Sequence, residues 1–335
     1  MKKINIGIVG AGNIGSKRAE VLKKFKNCHL VAVSEVDPKR ASEFAKTYQC
    51  EIVSKWRDLI NRPDLHVVIV SVPNVFTAPV VIAALKSGKH VLSEKPFGKN
   101  SKESLAIIKA ARKNKRLVKV GFNHRFHAAI GKAKEIFYRG EIGKIMFIRS
   151  RYGYGGRLGM QNEWRFNKKI SGGGELLDQG VHIIDLCRYF AGEFKEVFGS
   201  VSSKFWSPGV DDNAFAIMKN EKVTASFHVS ATQWKNLFSF EIYGDKGFLD
   251  IEGKGGSYGR ETLIFGKRKK EFGIPILKNF EFSEDISWEK EWQNFLGALE
   301  NKNKINGDMN DGYFANYIAE AIYKSSKLNK IVRIS

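Results

Sequence analysis

The stretch that decides the fold runs from Ile4 to Gly15 and reads INIGIVGAGNIG. Its first half, Ile4–Val9, has the length and apolar composition of a short buried strand. Its second half is a Gly-x-Gly-x-x-Gly pattern, and a helical spacing of apolar residues follows over Ile14–Lys24. A glycine pattern that follows a strand and opens a helix predicts a site that binds a dinucleotide.

Each residue of the glycine pattern has its own task in such a site. Gly10 permits the tight turn, Gly12 lets the backbone approach a pyrophosphate, and Gly15 lets the helix pack closely on the strand. The first N–H groups of a helix, here those around Asn13 and Ile14, point toward phosphate oxygens. These residues are the predicted phosphate contacts.

An acidic residue further along predicts which dinucleotide binds. Glu35 follows Gly15 by twenty residues, just past the second predicted strand. A carboxylate at that point accepts hydrogen bonds from both ribose hydroxyls of NAD and repels the 2′-phosphate of NADP. Lys39 and Arg40 lie close by and could tolerate that phosphate. We therefore expect NAD as the cofactor, with NADP as the alternative and Arg40 as a further contact.

The same alternation of strand and helix continues to residue 121. A repeated strand–helix–strand order predicts a parallel, doubly wound sheet. The predicted strands are Ile4–Val9, Leu30–Val33, Val67–Val72, His90–Ser93 and Leu117–Gly121, and the predicted helices are Ile14–Lys24, Pro38–Tyr48, Pro79–Ser87 and Ser101–Lys113.

Beyond Gly121 the pattern changes to strands with hairpin-length connections, which predicts a largely antiparallel open sheet. The predicted elements are helix Ala128–Tyr138, strand Lys144–Tyr152, helix Leu176–Phe190, strands Val197–Phe205, Asn213–Met218, Val223–Ala231, Phe238–Tyr243 and Gly247–Glu252, helices Trp288–Leu299 and Tyr313–Leu328, and strand Ile331–Ile334. We expect an α/β protein with a Rossmann domain over residues 1–122 and a C-terminal α+β domain over residues 123–335.

Composition limits the class of protein. The chain has 335 residues, of which 43% are hydrophobic and 27% charged, as in a folded globular protein of two domains. It lacks the run of about 20 apolar residues that a membrane-spanning helix needs. The cysteines, Cys28, Cys50 and Cys187, are far apart and form no C-x-x-C pair. This usage favours a reducing compartment and argues against zinc, so we expect a cytoplasmic protein.

The net charge of +21 is unusual. Such an excess speeds the capture of anions, which favours a phosphorylated or nucleotide-linked substrate. A lysine-rich surface that has no role in binding anions would give the same net charge. Because the sequence contains no recognised nucleic-acid motif and no basic tail, we expect neither nucleic acid nor a membrane as partner.

Two further segments carry a resemblance to a known family. The first, Gly88–Pro96, reads GKHVLSEKP, and the second, Gly172–Asp185, reads GGGELLDQGVHIID. With the N-terminal glycine pattern they closely resemble the Gfo/Idh/MocA oxidoreductases, named after glucose–fructose oxidoreductase and inositol dehydrogenase. The resemblance covers essentially the whole chain. It implies hydride transfer between NAD(P) and a secondary ring hydroxyl of a sugar, sugar nucleotide or cyclic polyol.

The resemblance assigns Lys95, Asp178 and His182 to the active site, and the chemistry of these residues agrees. Lys95 follows a parallel strand at its carboxyl end, where ligands bind, and its ammonium can stabilise a developing alkoxide. Asp178 and His182 are four residues apart and share one helix face. A neutral histidine can accept the hydroxyl proton while the carboxylate orients it or binds a second hydroxyl. Which group accepts the proton stays open, and the two side chains alone do not make a metal site.

Supporting residues are also implied by the resemblance. On the cofactor side they are Pro73, Asn74, Glu94 and Lys95 itself. Thr77 stands where family members commonly carry a histidine, which puts that contact in doubt. On the substrate side they are Asn123, Arg125, Trp164 and Arg165, and a structural ion pair is an equal alternative for the two arginines.

Other functions remain open at this point. The same fold can serve an NAD-dependent glycosidase that oxidises a ring carbon transiently, or a non-catalytic NAD-binding regulatory protein. The intact Lys95, Asp178 and His182 weigh against the regulatory protein. The resemblance also implies a homodimer or homotetramer that forms through the C-terminal sheet.

Overall fold

The computed structural model describes residues 3–206, 209–269, 271 and 273–334. In this part of the chain the residues form two compact units. The first contains the residues up to Phe122 together with 169–172 and 288–316. The second contains residues 123–168, 173–287 and the chain from Tyr317 onward.

The first unit is built on a parallel sheet. Its strands are β1 (Ile4–Val9), β2 (Cys28–Ser34), β3 (Glu51–Ile52), β4 (Val67–Val70), β5 (His90–Ser93) and β6 (Val118–Val120). Within the described residues they form one six-stranded sheet in the order β3-β2-β1-β4-β5-β6. Every adjacent pair in that order is parallel. The predicted doubly wound Rossmann domain is therefore confirmed.

Helices connect these strands. They are α1 (Asn13–Leu22), α2 (Pro38–Tyr48), α3 (Trp56–Ile60), α4 (Asn74–Lys86) and α5 (Ser101–Asn114). The prediction that α4 begins at Pro79 is wrong, because Pro79 lies inside the helix and the buried face already begins at Asn74. Strand β3 and helix α3 escaped prediction because both are very short.

The second unit is built on a larger sheet. Its strands are β7 (Ile145–Gly153), β8 (Glu196–Ser202), β9 (Asn213–Lys219), β10 (Thr224–Ser230), β11 (Leu237–Gly244), β12 (Gly247–Glu252), β13 (Glu261–Lys267), β14 (Ile276–Phe282) and β15 (Val332–Arg333). In the described part of the chain they form a nine-stranded sheet in the order β14-β13-β12-β11-β7-β10-β9-β8-β15. Strands β7 and β10 pair in parallel, whereas the other neighbours are antiparallel. The largely antiparallel sheet is confirmed.

The later helices are α6 (Ala128–Tyr138), α7 (Lys168–Ser171), α8 (Val181–Ala191), α9 (Ser287–Leu299) and α10 (Met309–Leu328). The predicted single helix Leu176–Phe190 is wrong at its start, because Leu176–Gly180 form a π-helical turn that precedes α8. The predicted strand Val197–Phe205 ends at Ser202. None of the helices in the described ranges combines the length and apolar character that a bilayer crossing requires.

Helix α9 contributes to the core of the first unit. Its Trp292 and Phe295 are almost fully buried and belong to the same apolar cluster as Ile6, Ile8 and Ile69 of the sheet. Burial of a large apolar side chain stabilises a fold by about 1.5–3 kcal/mol. The Rossmann sheet is thus completed by a segment that follows it by more than 160 residues in the chain.

Candidate active site

The three glycines of the turn differ in the space around their Cβ positions. Two of these positions are closely packed, and one is open. Gly10 has a φ of +95°, in the region that favours glycine, and a Cβ there would overlap the carbonyl oxygen of Ser71. A Cβ at Gly15 would overlap the carbonyl oxygen of Gly10. At Gly12, by contrast, no atom of the described residues lies within 4 Å of the Cβ position. The open position is thus the one that the pattern reserves for a pyrophosphate.

Glu35 is fixed against this turn. Its Oε2 accepts a hydrogen bond from the N–H of Ala11 at 2.8 Å, and its Oε1 accepts from Val36 and Asp37 at 2.9 and 3.1 Å. A carboxylate has about four acceptor positions, and these contacts within the described residues use three of them. The half-exposed Arg40 lies 3.5 Å from Oε1. One acceptor position of the carboxylate therefore accepts no hydrogen bond among these contacts.

The other predicted cofactor residues follow strands of the same sheet. Pro73 and Asn74 follow β4, and Glu94 and Lys95 follow β5. Because parallel strands end at one edge, these residues share the edge that also carries Gly10. Lys95 is partly buried there.

One of these residues, Asn74, is hydrogen-bonded to a protein group. Asn74 is buried, and its side-chain amide donates to the carbonyl oxygen of Ser171 at 2.8 Å. The neighbouring Thr77, on the same helix, is also buried. In the first unit, Asn74 therefore holds the segment 169–172 in place.

Sequence reasoning missed Arg18, which binds Glu94. Its Nε and Nη2 lie 2.7 and 2.6 Å from Oε1 of Glu94, and its Nη1 lies 2.5 Å from Glu291. The guanidinium also lies 4.5 Å from the ring centre of Trp288. Burial alone would lower the pKa of Arg18, but the carboxylates of Glu291 and Glu94 raise it above its usual value. In the sequence, Arg18 is marked only as a basic residue about one turn into α1.

In the second unit, His182 lies on α8 and is 5% exposed. Its ring packs on that of His124, with 3.9 Å between centroids and an interplanar angle of 45°. His124 also contacts the rings of Tyr152 and Phe238 at centroid distances of 5.2 and 5.7 Å. The predicted base, His182, thus lies in a cluster of aromatic side chains. Two of the other members, His124 and Tyr152, carry polar atoms.

Asp178 lies in the π-helical turn, a kind of turn that often occurs at functional sites. Its side chain is 30% exposed, and its Oδ2 lies 3.6 Å from Nε of Arg165. The guanidinium of Arg165 in turn lies 4.6 Å from the ring centre of Trp164. The structure therefore brings together Asp178, Arg165 and Trp164, which the sequence had named separately.

The charge of Asp178 acts on three tyrosines of the second unit. Burial raises the pKa of Tyr152 and Tyr154, and the negative charge of Asp178 adds to the effect. Burial also raises the pKa of Tyr258 to about 12. These phenols stay protonated at neutral pH and can donate hydrogen bonds to a ligand. Tyr258, which the sequence analysis did not select, follows an irregular segment after β12 and carries no motif.

Arg125 and Asn123 serve the structure of the second unit. Nε and Nη2 of Arg125 lie 2.7 and 2.6 Å from the carboxylate of Asp185, and both side chains are buried. The ion-pair alternative thus describes Arg125 in the structure, and its contact with substrate stays a prediction. The amide of Asn123 donates to Oγ of Ser287 at 3.1 Å in a buried position. Local sequence could not show that Asp185 is the partner of Arg125.

Residues 4–122 match the family model of an oxidoreductase family with an NAD-binding Rossmann fold, so the chain is an NAD-binding oxidoreductase. Residues 130–250 match the C-terminal domain of the Gfo/Idh/MocA proteins. The chain belongs to the Gfo/Idh/MocA family, as the resemblance implied.

Several members of the family are similar over most of the chain. A levoglucosan dehydrogenase of Pseudarthrobacter phenanthrenivorans is 33% identical over 62% of this chain, which spans 56% of that enzyme. A myo-inositol 2-dehydrogenase of Thermotoga maritima is 29% identical over 83% of this chain and 87% of that enzyme. A solved levoglucosan dehydrogenase in complex with NADH and L-sorbose superposes with a TM-score of 0.91 at 24% identity, with full coverage of both chains. That structure has the same fold.

Proposed function

We propose that this protein transfers a hydride between NAD and a secondary ring hydroxyl of a sugar, sugar nucleotide or cyclic polyol. The observation that carries the proposal is the polar group of the second unit, in which Asp178 lies 3.6 Å from Arg165, whose guanidinium packs on the ring of Trp164. Hydroxyl-rich rings are bound by such donors and acceptors together with aromatic faces. Relatives named as levoglucosan and myo-inositol dehydrogenases act on molecules of this kind.

The cofactor side of the proposal rests on the first unit. The open Cβ position at Gly12 and the spare acceptor of Glu35 fit a pyrophosphate and a ribose hydroxyl. NAD, when bound, supplies the hydride acceptor. A 2′-phosphate would meet the carboxylate of Glu35, so we expect NAD to be preferred over NADP.

The catalytic roles follow from the side chains. His182 accepts the hydroxyl proton, and Asp178 orients the imidazole or binds a second hydroxyl. The ammonium of Lys95 donates to the same substrate oxygen and stabilises its developing negative charge. Lys95 is the alternative proton acceptor. Either role makes both side chains necessary for turnover.

The net charge of +21 bears on the choice of substrate. A strongly positive surface raises the local concentration of anionic molecules. We therefore favour an anionic substrate such as a nucleotide-linked sugar, and inositol is the neutral alternative.

A screen for NAD⁺ reduction tests this function. The panel contains sugars, inositols and nucleotide sugars, each tried with NAD⁺ and NADP⁺. We expect stoichiometric NADH from a hydroxylated ring and a higher kcat/KM with NAD⁺. Release of an aglycone without net NADH would instead identify a glycosidase. Failure of every compound to produce NADH in either way would contradict the proposal.

We further propose that the protein assembles into a homodimer or homotetramer through the open face of the second sheet. Along β9 the side chains alternate, so that Ala214 and Met218 are buried while Phe215 and Ile217 are exposed. Phe198 of the adjacent β8 is exposed on the same face. An open sheet face with large apolar side chains is typical of a surface that binds a partner.

We also propose a cytoplasmic location. Cys28, Cys50 and Cys187 are all free thiols in the described part of the chain. Burial raises the pKa of each thiol, to about 11 for Cys50. Unpaired, unreactive thiols are compatible with a reducing compartment.

A further inference from the structure

The turn that begins the Asp178–His182 segment is held by one residue, Asp211. The N–H of Gly174 donates to its Oδ1 at 2.8 Å, and the N–H of Leu176 donates to its Oδ2 at 2.9 Å. Between them, the N–H of Glu175 donates to the backbone oxygen of Asp211 at 2.9 Å. Consecutive peptide N–H groups at the start of a helical segment, which have no partner within the segment, are thereby satisfied.

Tyr323, on α10, completes this arrangement. Its hydroxyl donates to Oδ1 of Asp211 at 2.7 Å and lies 3.2 Å from the nitrogen of Gly174. A Cβ at Gly173 would lie within overlap distance of that hydroxyl, and a Cβ at Gly174 would overlap the backbone oxygen of Asp211. The backbone of these two glycines therefore passes close to Asp211 and Tyr323.

The turn leads directly to the candidate catalytic side chains. The carbonyl oxygen of Gly174 accepts the N–H of Asp178 at 2.9 Å. A displacement of Gly174 would therefore move the backbone of Asp178, and His182 lies four residues further along the same segment. Catalytic side chains need fixed supports of this kind, because small displacements of the reacting groups cost much of the rate.

We infer that Asp211, together with Tyr323, is a positioning residue that fixes the turn from which Asp178 and His182 project. We assign neither Asp211 nor Tyr323 a contact with substrate. The inference rests on the proposed dehydrogenase function, and it adds a residue that no sequence motif marked.

The chain supplies a matched control in the next residue. Asp212 is also buried, and it accepts N–H groups from Lys204, Phe205 and Trp206 at 2.8, 2.7 and 2.9 Å. The two aspartates therefore make similar sets of bonds to different segments. Replacing either one removes an acceptor from backbone N–H groups, but only Asp211 holds the turn before Asp178.

The test compares Asp211→Asn, Tyr323→Phe and Asp212→Asn in the full-length protein. The measurements are the thermal midpoint, the dissociation constant for NADH, and kcat and KM for the substrate found in the screen. We expect Asp211→Asn to lower kcat by about 10- to 100-fold with little change in KM or NADH affinity. Tyr323→Phe should lower kcat in the same direction by a smaller factor. Asp212→Asn should lose similar thermal stability and keep kcat within about threefold of the wild type.

Hydrogen exchange of the amides Gly174–Leu176 is a second readout that needs no substrate. Faster exchange in Asp211→Asn, with unchanged exchange in Asp212→Asn, supports the inference even if the wild type turns over no compound and the proposed function fails. Equal losses of kcat in both aspartate variants would overturn it. So would an Asp211→Asn variant whose kcat and amide exchange match those of the wild type.

Discussion

Gly12 and Gly15 belong to one sequence pattern, but the structure separates their physical tasks. A Cβ at Gly15 would overlap the carbonyl oxygen of Gly10, whereas the Cβ position at Gly12 is open among the described residues. Gly12 thus leaves room for a ligand, whereas Gly15 is required by the fold.

We predict that Gly12→Val abolishes NADH binding and leaves the thermal midpoint close to that of the wild type. The valine side chain would fill the space that the pyrophosphate needs, and its backbone conformation, with φ of −70°, suits any residue. NADH fluorescence titration and thermal unfolding measure the two effects. Gly15→Ala is the control and should lose about 1–3 kcal/mol of stability through overpacking. An unfolded Gly12→Val protein, or one that binds NADH normally, would contradict the assignment.

His90 provides a prediction about pH. Its Nδ1 accepts the N–H of Leu117 at 3.0 Å, and burial, with the charge of Arg116, lowers its pKa to about 4. The unfolded chain has a histidine pKa of about 6.5, so it binds more protons than the folded state between these values. Stability conferred by neutral His90 is therefore complete above about pH 6.5 and is lost as the pH falls toward 4.

We predict that the free energy of unfolding drops by about 1–3 kcal/mol over this range, on the scale of a buried hydrogen bond that loses its acceptor. His90→Asn should flatten this pH dependence in denaturant titrations. His66→Asn is the matched control, because Nδ1 of His66 accepts the N–H of Asn5 at 3.0 Å in an exposed position. Identical pH profiles for the wild type and His90→Asn would contradict the prediction.

Single residues were predictable from the sequence where a local pattern defined them. The glycine turn and Glu35 follow from spacing alone, and the structure fixes both at one edge of the sheet. Arg18 and Tyr258 were missed because their partners lie far away in the chain. The ion pair of Arg125 could not be predicted for the same reason, because its buried partner Asp185 is distant in the chain.

Elements were predicted well where apolar spacing was regular. The fully buried β4, with the sequence VVIV, is such a case. Strand β14 escaped because it is an edge strand with mostly exposed residues and no clear alternation. The parallel pairing of β7 with β10 was also missed, since sequence order shows which strands exist but not which distant strands pair.

The open face of the second sheet gives a prediction at the scale of elements. The exposed Phe215 of β9 stacks on His228 of β10 with 3.9 Å between ring centroids and an angle of 4°. We predict that the wild type is a dimer or tetramer by light scattering at micromolar concentration, and that Phe215→Asp lowers the mass toward that of a monomer. A buried charge at an apolar contact is costly. Leu105→Asp, on an exposed position of α5, is the control.

An unchanged mass in Phe215→Asp would exclude this face as the contact. A wild type that is strictly monomeric would exclude the proposed assembly altogether. In either case the exposed side chains of β9 would face water and not a partner.

For the whole molecule, the sequence predicted two sheets of different kinds, and both are present. It did not predict that α9 packs into the core of the first unit through Trp292 and Phe295. An amphipathic helix indicates that it buries one face, but not against which sheet. Contacts between segments so far apart in the chain require the three-dimensional structure.

The central claim is that Lys95 and His182 are each needed for hydride transfer between NAD and the substrate. Its most direct test measures kcat and NADH affinity for Lys95→Ala and His182→Ala, with Lys99→Ala as the control for loss of a nearby lysine. We predict that both active-site variants bind NADH like the wild type and lose about 10²- to 10⁴-fold in kcat, and that His182→Ala also loses one limb of the pH profile. Lys99→Ala should keep its activity. Near-normal turnover in a folded Lys95→Ala or His182→Ala protein would contradict the claim.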